Sequence, residues 1–288
     1  MIGRWLQRLG ASWTSKPIAH DPQTLTAFDE LFAQMESQAR PCVRLTSTDN
    51  SVRTRIGGRP PIQGRFEWPH WNGQPLGFVA QIELTEIQSA LPIDWLPSEG
   101  RLLFFYDPEQ NVWGFDPKDK GGCVVIFDPN GEPAPSLDPP QALPDHGSFS
   151  EKNLAAASAQ SHPSLDRFGE TVGDLSTHAW DALDKQYSPP TPVHQIGGYP
   201  WPVQNDGMEL ESQLASNGVY VGNAEGYTSS DVEKLKDGAK DWLLLLQIDS
   251  DDEAGIMWGD IGMLYFWIRR QDAEKRDFSN VWVVLQCC

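Results

Sequence analysis

The chain contains the stretch Gly262-Met263-Leu264-Tyr265-Phe266-Trp267-Ile268, in which every side chain after the glycine is apolar or aromatic. Side chains alternate between the two faces of a β-strand, so both faces of this stretch would be apolar. A strand of this kind is buried between two layers of structure. The stretch therefore predicts a strand in the interior of a sheet that is covered on both sides.

Similar segments occur in the same order in the first half of the chain. Each half has a Gly-Gly pair, then an apolar segment that ends in Gln-Ile and an acidic residue, and then an apolar segment that begins with glycine. In the first half these are residues 57–58, 78–83 and 100–105. In the second half they are residues 197–198, 242–249 and 262–268. Ordered matches of this kind indicate an internal duplication. We expect an α+β fold, internally duplicated, with two β-rich halves whose mostly antiparallel sheets are flanked by helices.

The predicted organisation is one compact unit with four parts. They are an N-terminal helical segment (1–40), a first β-rich repeat (41–128), a Pro-rich and helical insert (129–190) and a second β-rich repeat (191–288). Within the first part, Asp21-Pro22 followed by an apolar period near 3.6 predicts a helix that ends near Arg40. Within the third, apolar residues such as Leu154, Trp180 and Leu183 predict helices over about 151–185.

The net charge restricts the classes of partner. The chain has 40 acidic and 22 basic residues, a formal charge of -18 and a pI of about 4.6. Residues 1–100 contain 10 acidic and 9 basic residues, whereas residues 101–288 contain 30 and 13, so the excess lies after residue 100. A chain with this charge repels nucleic-acid phosphates and anionic membrane surfaces. We expect neither partner; the acidity could serve solubility alone or present a negative surface to a basic partner.

The targeting and cysteine patterns predict a cytoplasmic protein. Residues 1–16 have no apolar run suited to a secretory signal, and no stretch approaches the ~18–20 apolar residues of a membrane-spanning helix. Cys42, Cys123, Cys287 and Cys288 have spacings that fit neither a disulfide framework nor a zinc site.

A concentrated acidic segment follows the second Gln-Ile strand and is the candidate partner-binding site. Its residues are Asp249, Asp251, Asp252, Glu253, Trp258 and Asp260. Acidic side chains beside a tryptophan suit an interface with a basic protein. Four of the carboxylates fall at relative positions 1, 3, 5 and 12, as in a calcium loop, but Gly255 is at position 7, where that loop has glycine at position 6. A solvated loop without a ligand is the third interpretation.

Catalytic motifs are not evident in the sequence. The six histidines do not form a metal-binding pair, and there is no nucleophile elbow. His194 is the single candidate for a catalytic base, although a hydrogen-bonded structural histidine explains it better. Gln81 and Gln247 are expected to satisfy backbone groups at a bulge or strand end. We assign no catalytic residue, cofactor or metal ligand.

Several of these segments resemble the signature segments of the YwqG-like family, a bacterial domain of unknown function. The similar segments span about 41–288 and include 194–200 (His-Gln-Ile-Gly-Gly-Tyr-Pro), 244–249, 257–262, 264–268, 281–286, Gly57-Gly58, Trp68-Pro69, 78–82 and 100–105. The resemblance implies a duplicated α+β fold and carries over no catalytic residues. Because similar members are encoded near polymorphic toxin systems, it also implies an immunity role for some of them.

Two functions are therefore expected as alternatives. The first is an acidic protein-binding domain, an immunity protein that neutralises a cognate toxin, with a nuclease as the best electrostatic match. The second is a small-molecule-binding or enzymatic domain with a cleft between the two repeats, lined by His194, Gln247 and Asp260.

Overall fold

A single large sheet runs through the computed structural model of the chain, which describes residues 22–61, 66–131, 134–168, 183 and 185–288. Its strand order is β12-β11-β10-β9-β1-β8-β2-β5-β6-β7, and all paired strands are antiparallel. A two-stranded ribbon, β3-β4, lies apart from it. The strands are β1 (Arg40–Ser47), β2 (Arg55–Ile56), β3 (His70–Trp71), β4 (Gln74–Pro75), β5 (Gly77–Glu83), β6 (Arg101–Tyr106), β7 (Cys123–Asp128), β8 (Lys152–Ser161), β9 (His194–Ile196), β10 (Trp242–Asp249), β11 (Met263–Arg269) and β12 (Trp282–Gln286).

Helices flank this sheet, which confirms the α+β class. They are α1 (Pro22–Ser37), α2 (Leu84–Ala90), α3 (Met208–Ser216), α4 (Ala224–Tyr227), α5 (Val232–Leu235) and α6 (Arg270–Glu274), with 3-10 turns at Pro117–Asp119, Asp145–Gly147, Leu165–Phe168 and Lys236–Asp241. Helix α1 confirms the helix predicted after Asp21-Pro22. The rest of the predicted helical segment before Pro22 lies outside the described residues.

Strand β11 confirms the prediction from residues 262–268. It pairs with β10 on one side and β12 on the other. Leu264, Phe266 and Ile268 enter the core on one face of the sheet, and Met263, Tyr265 and Trp267 enter the core on the opposite face. The sheet is thus covered on both sides at this strand.

The prediction of helices from residue 151 onward is wrong for β8. This strand, Lys152–Ser161, pairs with β1 over eight residues, from Arg40 opposite Ser161 to Ser47 opposite Leu154. Its alanines favour a helix locally. Pairing with β1 and the complete burial of Leu154 in the core outweigh that preference. The predicted helical positions 169–182, which include Trp180, lie outside the described residues.

The strand order is symmetric about the β1–β8 pair. On one side of that pair, β9 leads to β10, β11 and β12, and on the other, β2 leads to β5, β6 and β7. Gln247 of β10 lies opposite β9 and Gln81 of β5 lies opposite β2. This order brings the segment that follows β10 close to β8 and β9, and so positions the candidate site.

Candidate functional site

The acidic segment after β10 folds into a tight hairpin. Asp251 and Ile256 exchange two backbone hydrogen bonds, of 2.8 and 2.9 Å. Gly255 has a positive φ of 69°, a conformation that glycine adopts without strain, and it closes the turn between them. The chain then leads into β11 by a turn over residues 258–262. In this turn the Gly262 N–H donates a hydrogen bond of 2.7 Å to the Trp258 carbonyl. The hairpin therefore directs alternate side chains inward and outward.

Two of the six predicted partner-binding residues are buried carboxylates. Asp249 and Asp251 are 3% and 4% exposed. Asp249 accepts a hydrogen bond of 2.9 Å from the Val193 N–H. The Asp251 carboxylate accepts two hydrogen bonds from Lys152 Nζ, at 3.0 and 2.8 Å. Asp249 connects the end of β10 to the segment before β9, and Asp251 connects the hairpin to β8. Neither carboxylate can contact a partner in this conformation.

His194 completes this buried network. The imidazole is fully buried, and its Nδ1 accepts a hydrogen bond of 3.1 Å from the Asp249 N–H. The proton of the neutral ring is therefore on Nε2, which faces Asp251 Oδ2 at 3.4 Å. Since both ring nitrogens are engaged, His194 has the structural role that the sequence favoured.

The hydrogen bonds of this network favour the charged forms of Lys152 and Asp251. Burial alone would raise the pKa of Asp251, but hydrogen bonds from His194 and Lys152 outweigh it and hold the pKa well below its ordinary value. Burial alone would lower the pKa of Lys152, but hydrogen bonds to Asp251 and Glu253 raise it above its ordinary value. A buried ion pair therefore supports the base of the hairpin.

Trp258, predicted as an interface anchor, is part of the core. It is 1% exposed and packs edge-to-face against Tyr106 and Phe149, with ring centroids 5.7 and 5.5 Å apart. Ile256 is buried beside it, whereas the intervening Met257 is 44% exposed. The period-2 alternation of the returning strand accounts for this placement.

The outward side chains form a surface that combines carboxylates with one exposed apolar residue. Gln110 connects two loops there, since its Nε2 donates to the Met257 carbonyl at 2.9 Å and its Oε1 accepts from the Gly259 N–H at 2.7 Å. The members of this acidic loop surface are Glu109, Asp252, Glu253, Met257 and Asp260, all exposed or half-exposed. Glu109 and Met257 were not among the predicted residues. The alternation of Ile256, Met257 and Trp258 was the available signal for Met257.

The family model described as a domain of unknown function, DUF1963, matches residues 54–287. The chain belongs to the DUF1963 family. No curated protein matches the chain. The matched residues of this DUF1963 domain include the whole acidic loop surface and exclude β1, which is nevertheless in the middle of the sheet.

The residues of the predicted cleft do not line a common opening in this DUF1963 domain. Gln247 is fully buried, donates to the Val193 carbonyl at 2.9 Å and accepts from the Trp201 N–H at 2.8 Å. It satisfies backbone groups, as predicted, directly after the register shift between Leu244 and Leu246. With His194 also buried, Asp260 alone of the three is exposed.

Across the described ranges, no group of three or more His, Cys, Asp or Glu side chains is arranged to hold a metal ion. Among the helices in the same ranges, none combines the length and the apolar composition needed to cross a bilayer.

Proposed function

We propose that this DUF1963 domain is an acidic protein-binding domain that binds and neutralises a basic protein partner. The observation that carries the proposal is the acidic loop surface, which combines exposed carboxylates with the exposed Met257 and has a buried ion pair at the base of its hairpin. The best electrostatic match is a nuclease toxin, whose phosphate-binding surface is basic, so the domain would act as an immunity protein.

A rigid hairpin favours this use of the surface. Lys152 bridges buried Asp251 and exposed Glu253, with Nζ to carboxylate distances of 2.8 and 2.6 Å. Gln110 holds the other end of the hairpin. A surface that is already ordered loses little conformational entropy on binding. Exposed carboxylates accelerate encounter with a cationic partner, and methionine is enriched in protein interfaces.

The first test is co-expression of the chain with the product of the adjacent gene, followed by size-exclusion chromatography at low and high salt. A complex that forms at low salt and weakens at high salt is expected, because contacts between exposed charges are screened. Independent elution of the two proteins at both salt concentrations would count against the proposal.

Variants that remove negative charges test whether the acidic loop surface binds the partner. The triple variant Asp252→Asn, Glu253→Gln, Asp260→Asn should weaken the complex about tenfold or more at low salt. The matched control Glu225→Gln, Glu233→Gln, Glu274→Gln changes three other exposed acidic residues and the net charge equally, and should bind nearly as well as wild type. Titration calorimetry measures both affinities. Equal weakening in the two variants would show that overall charge, and not this surface, determines binding.

Two finer assignments belong to the same proposal. Within DUF1963, we propose that the chain is YwqG-like, on the segments quoted above. We also propose a cytoplasmic location, which the free thiols of Cys42, Cys123, Cys287 and Cys288 support because the cytoplasm keeps thiols reduced.

An internal duplication of the β-rich unit, with two equivalent halves, is proposed as the origin of the sheet. The supporting observations are the symmetric strand order and the matching register shifts, between Phe78 and Ala80 in β5 and between Leu244 and Leu246 in β10. The Gly57-Gly58 and Gly197-Gly198 pairs also share positive φ angles.

A further inference from the structure

A cavity lies against the sheet on the side of α1, and none of the residues that line it belongs to the acidic loop surface. Arg44 lies in β1, opposite Ala157 of β8 and Gln195 of β9, and its side chain lines this cavity. The cavity volume is about 30 Å³, and the remaining wall comes from Met35, residues 160–165, Leu183, Tyr187, Pro189, Gln195 and residues 199–201.

Arg44 is a partly buried cation without a counterion in the described part of the chain. Its Nη1 atom is buried and has no hydrogen-bond partner there. Burial lowers the pKa of the guanidinium, and among the described residues only the thiol of Cys42 opposes that shift. An unpaired buried charge is costly. Nearby Arg167 is the opposite case, since it pairs with Asp206 and Glu209.

The other side chains of the cavity suit a compact ligand with one polar end. Ser164 Oγ accepts a hydrogen bond of 3.2 Å from the Asp166 N–H, which leaves its hydroxyl proton able to donate. Tyr187 and Trp201 provide aromatic walls. Glu36 borders the site, because it contacts His162 at 3.6 Å and Tyr187 Oη at 3.0 Å. Its negative charge disfavours a ligand with two negative charges more strongly than a ligand with one.

We propose that this cavity binds the carboxylate group of a small monocarboxylic acid, with Arg44 as the residue that recognises it. A guanidinium presents two parallel N–H donors that match the two oxygens of a carboxylate. The volume of about 30 Å³ admits about two water molecules, and so the two oxygens of a carboxylate. This site is independent of the proposed partner surface.

The test is titration of the full chain with acetate at constant ionic strength, with chloride as the balancing anion. Calorimetry measures the affinity, and the Nε–Hε signal of Arg44 in an NMR spectrum reports the contact directly. Saturable binding of acetate is expected, with weaker binding of phosphate and succinate. Arg44→Gln should weaken acetate binding about tenfold or more. The control Arg59→Gln removes an exposed arginine that does not line the cavity and should bind acetate nearly as tightly as wild type.

Three results would overturn the proposal. They are absence of saturable acetate binding, equal binding by Arg44→Gln and wild type, and binding of phosphate as tight as that of acetate. The variant Arg44→Met provides a test without ligand: its melting temperature should equal or exceed that of the wild type, because it removes an unpaired charge. A clear fall in the melting temperature of Arg44→Met would show that Arg44 is already satisfied within the chain and would also contradict the site.

Discussion

Replacing Asp251 by asparagine is expected to lower the free energy of unfolding by about 3 kcal/mol at neutral pH. Asp251 is 4% exposed and is the common partner of Lys152 and His194. The asparagine has nearly the same shape but no charge. Lys152, whose side chain is 12% exposed, then keeps only the exposed Glu253 as its anion.

The adjacent variant Asp252→Asn is the matched control. Asp252 is exposed, so its replacement should change the stability by no more than about 0.5 kcal/mol. Urea unfolding followed by tryptophan fluorescence measures both variants. A similar loss of free energy of unfolding in the two variants would contradict the prediction. It would mean that the buried ion pair contributes no more to stability than an exposed carboxylate of the same loop.

The Asp251→Asn variant should also differ from the wild type in acid unfolding. Because the pKa of Asp251 in the folded chain lies below its ordinary value of 3.8, its contribution is complete above about pH 4. The contribution declines as the pH falls below 3.8 toward the folded-state pKa. Wild type and Asp251→Asn should therefore differ most near neutral pH and converge in strong acid. A constant difference at all pH values would contradict the ionic origin of the effect.

Part of the fold could be predicted from the sequence because strands such as β11 are apolar on both faces. The local pattern of residues 262–268 was enough to predict a strand inside a covered sheet, and β11 has that position. Residues 152–161 could not be placed in this way. Their alanines carry a local helical preference, and their strand partner β1 is distant in the sequence.

The candidate site was predicted less completely because burial there depends on distant partners. Asp251 and Asp252 are adjacent acidic residues with opposite environments, and the difference comes from Lys152, 99 residues away, and His194, 57 residues away. Arg44 was not predicted as a binding residue for a similar reason. A charged residue between Val43 and Leu45 is typical of the solvent face of a strand, and the segments that cover it come from other parts of the chain.

Replacing Glu211 by glutamine is expected to stabilise the chain at pH 8 by up to about 3 kcal/mol. Glu211 belongs to α3 and is 3% exposed, and its Oε1 accepts a hydrogen bond of 3.2 Å from Tyr227 Oη. Burial raises the pKa of this carboxyl from 4.5 to about 7, and the hydrogen bond from Tyr227 only partly opposes that rise.

The sign of the effect follows from the raised pKa. Between pH 4.5 and about 7 the unfolded chain has lost the Glu211 proton while the folded chain still holds it. The contribution of Glu211 to the free energy of unfolding of the wild type therefore falls as the pH rises through this range. Glutamine stays neutral and can still accept the Tyr227 hydrogen bond, so Glu211→Gln should lack this decline.

Thermal unfolding at pH 4.5 and pH 8 distinguishes a charge effect from a packing effect. Glu211→Gln should match the wild type at the lower pH and melt at a higher temperature at pH 8. The control Glu225→Gln, at an exposed site, should follow the wild type at both pH values. A difference between Glu211→Gln and wild type that is the same at both pH values would contradict the prediction, because the cost of Glu211 would then lie in its shape and not in its ionisation.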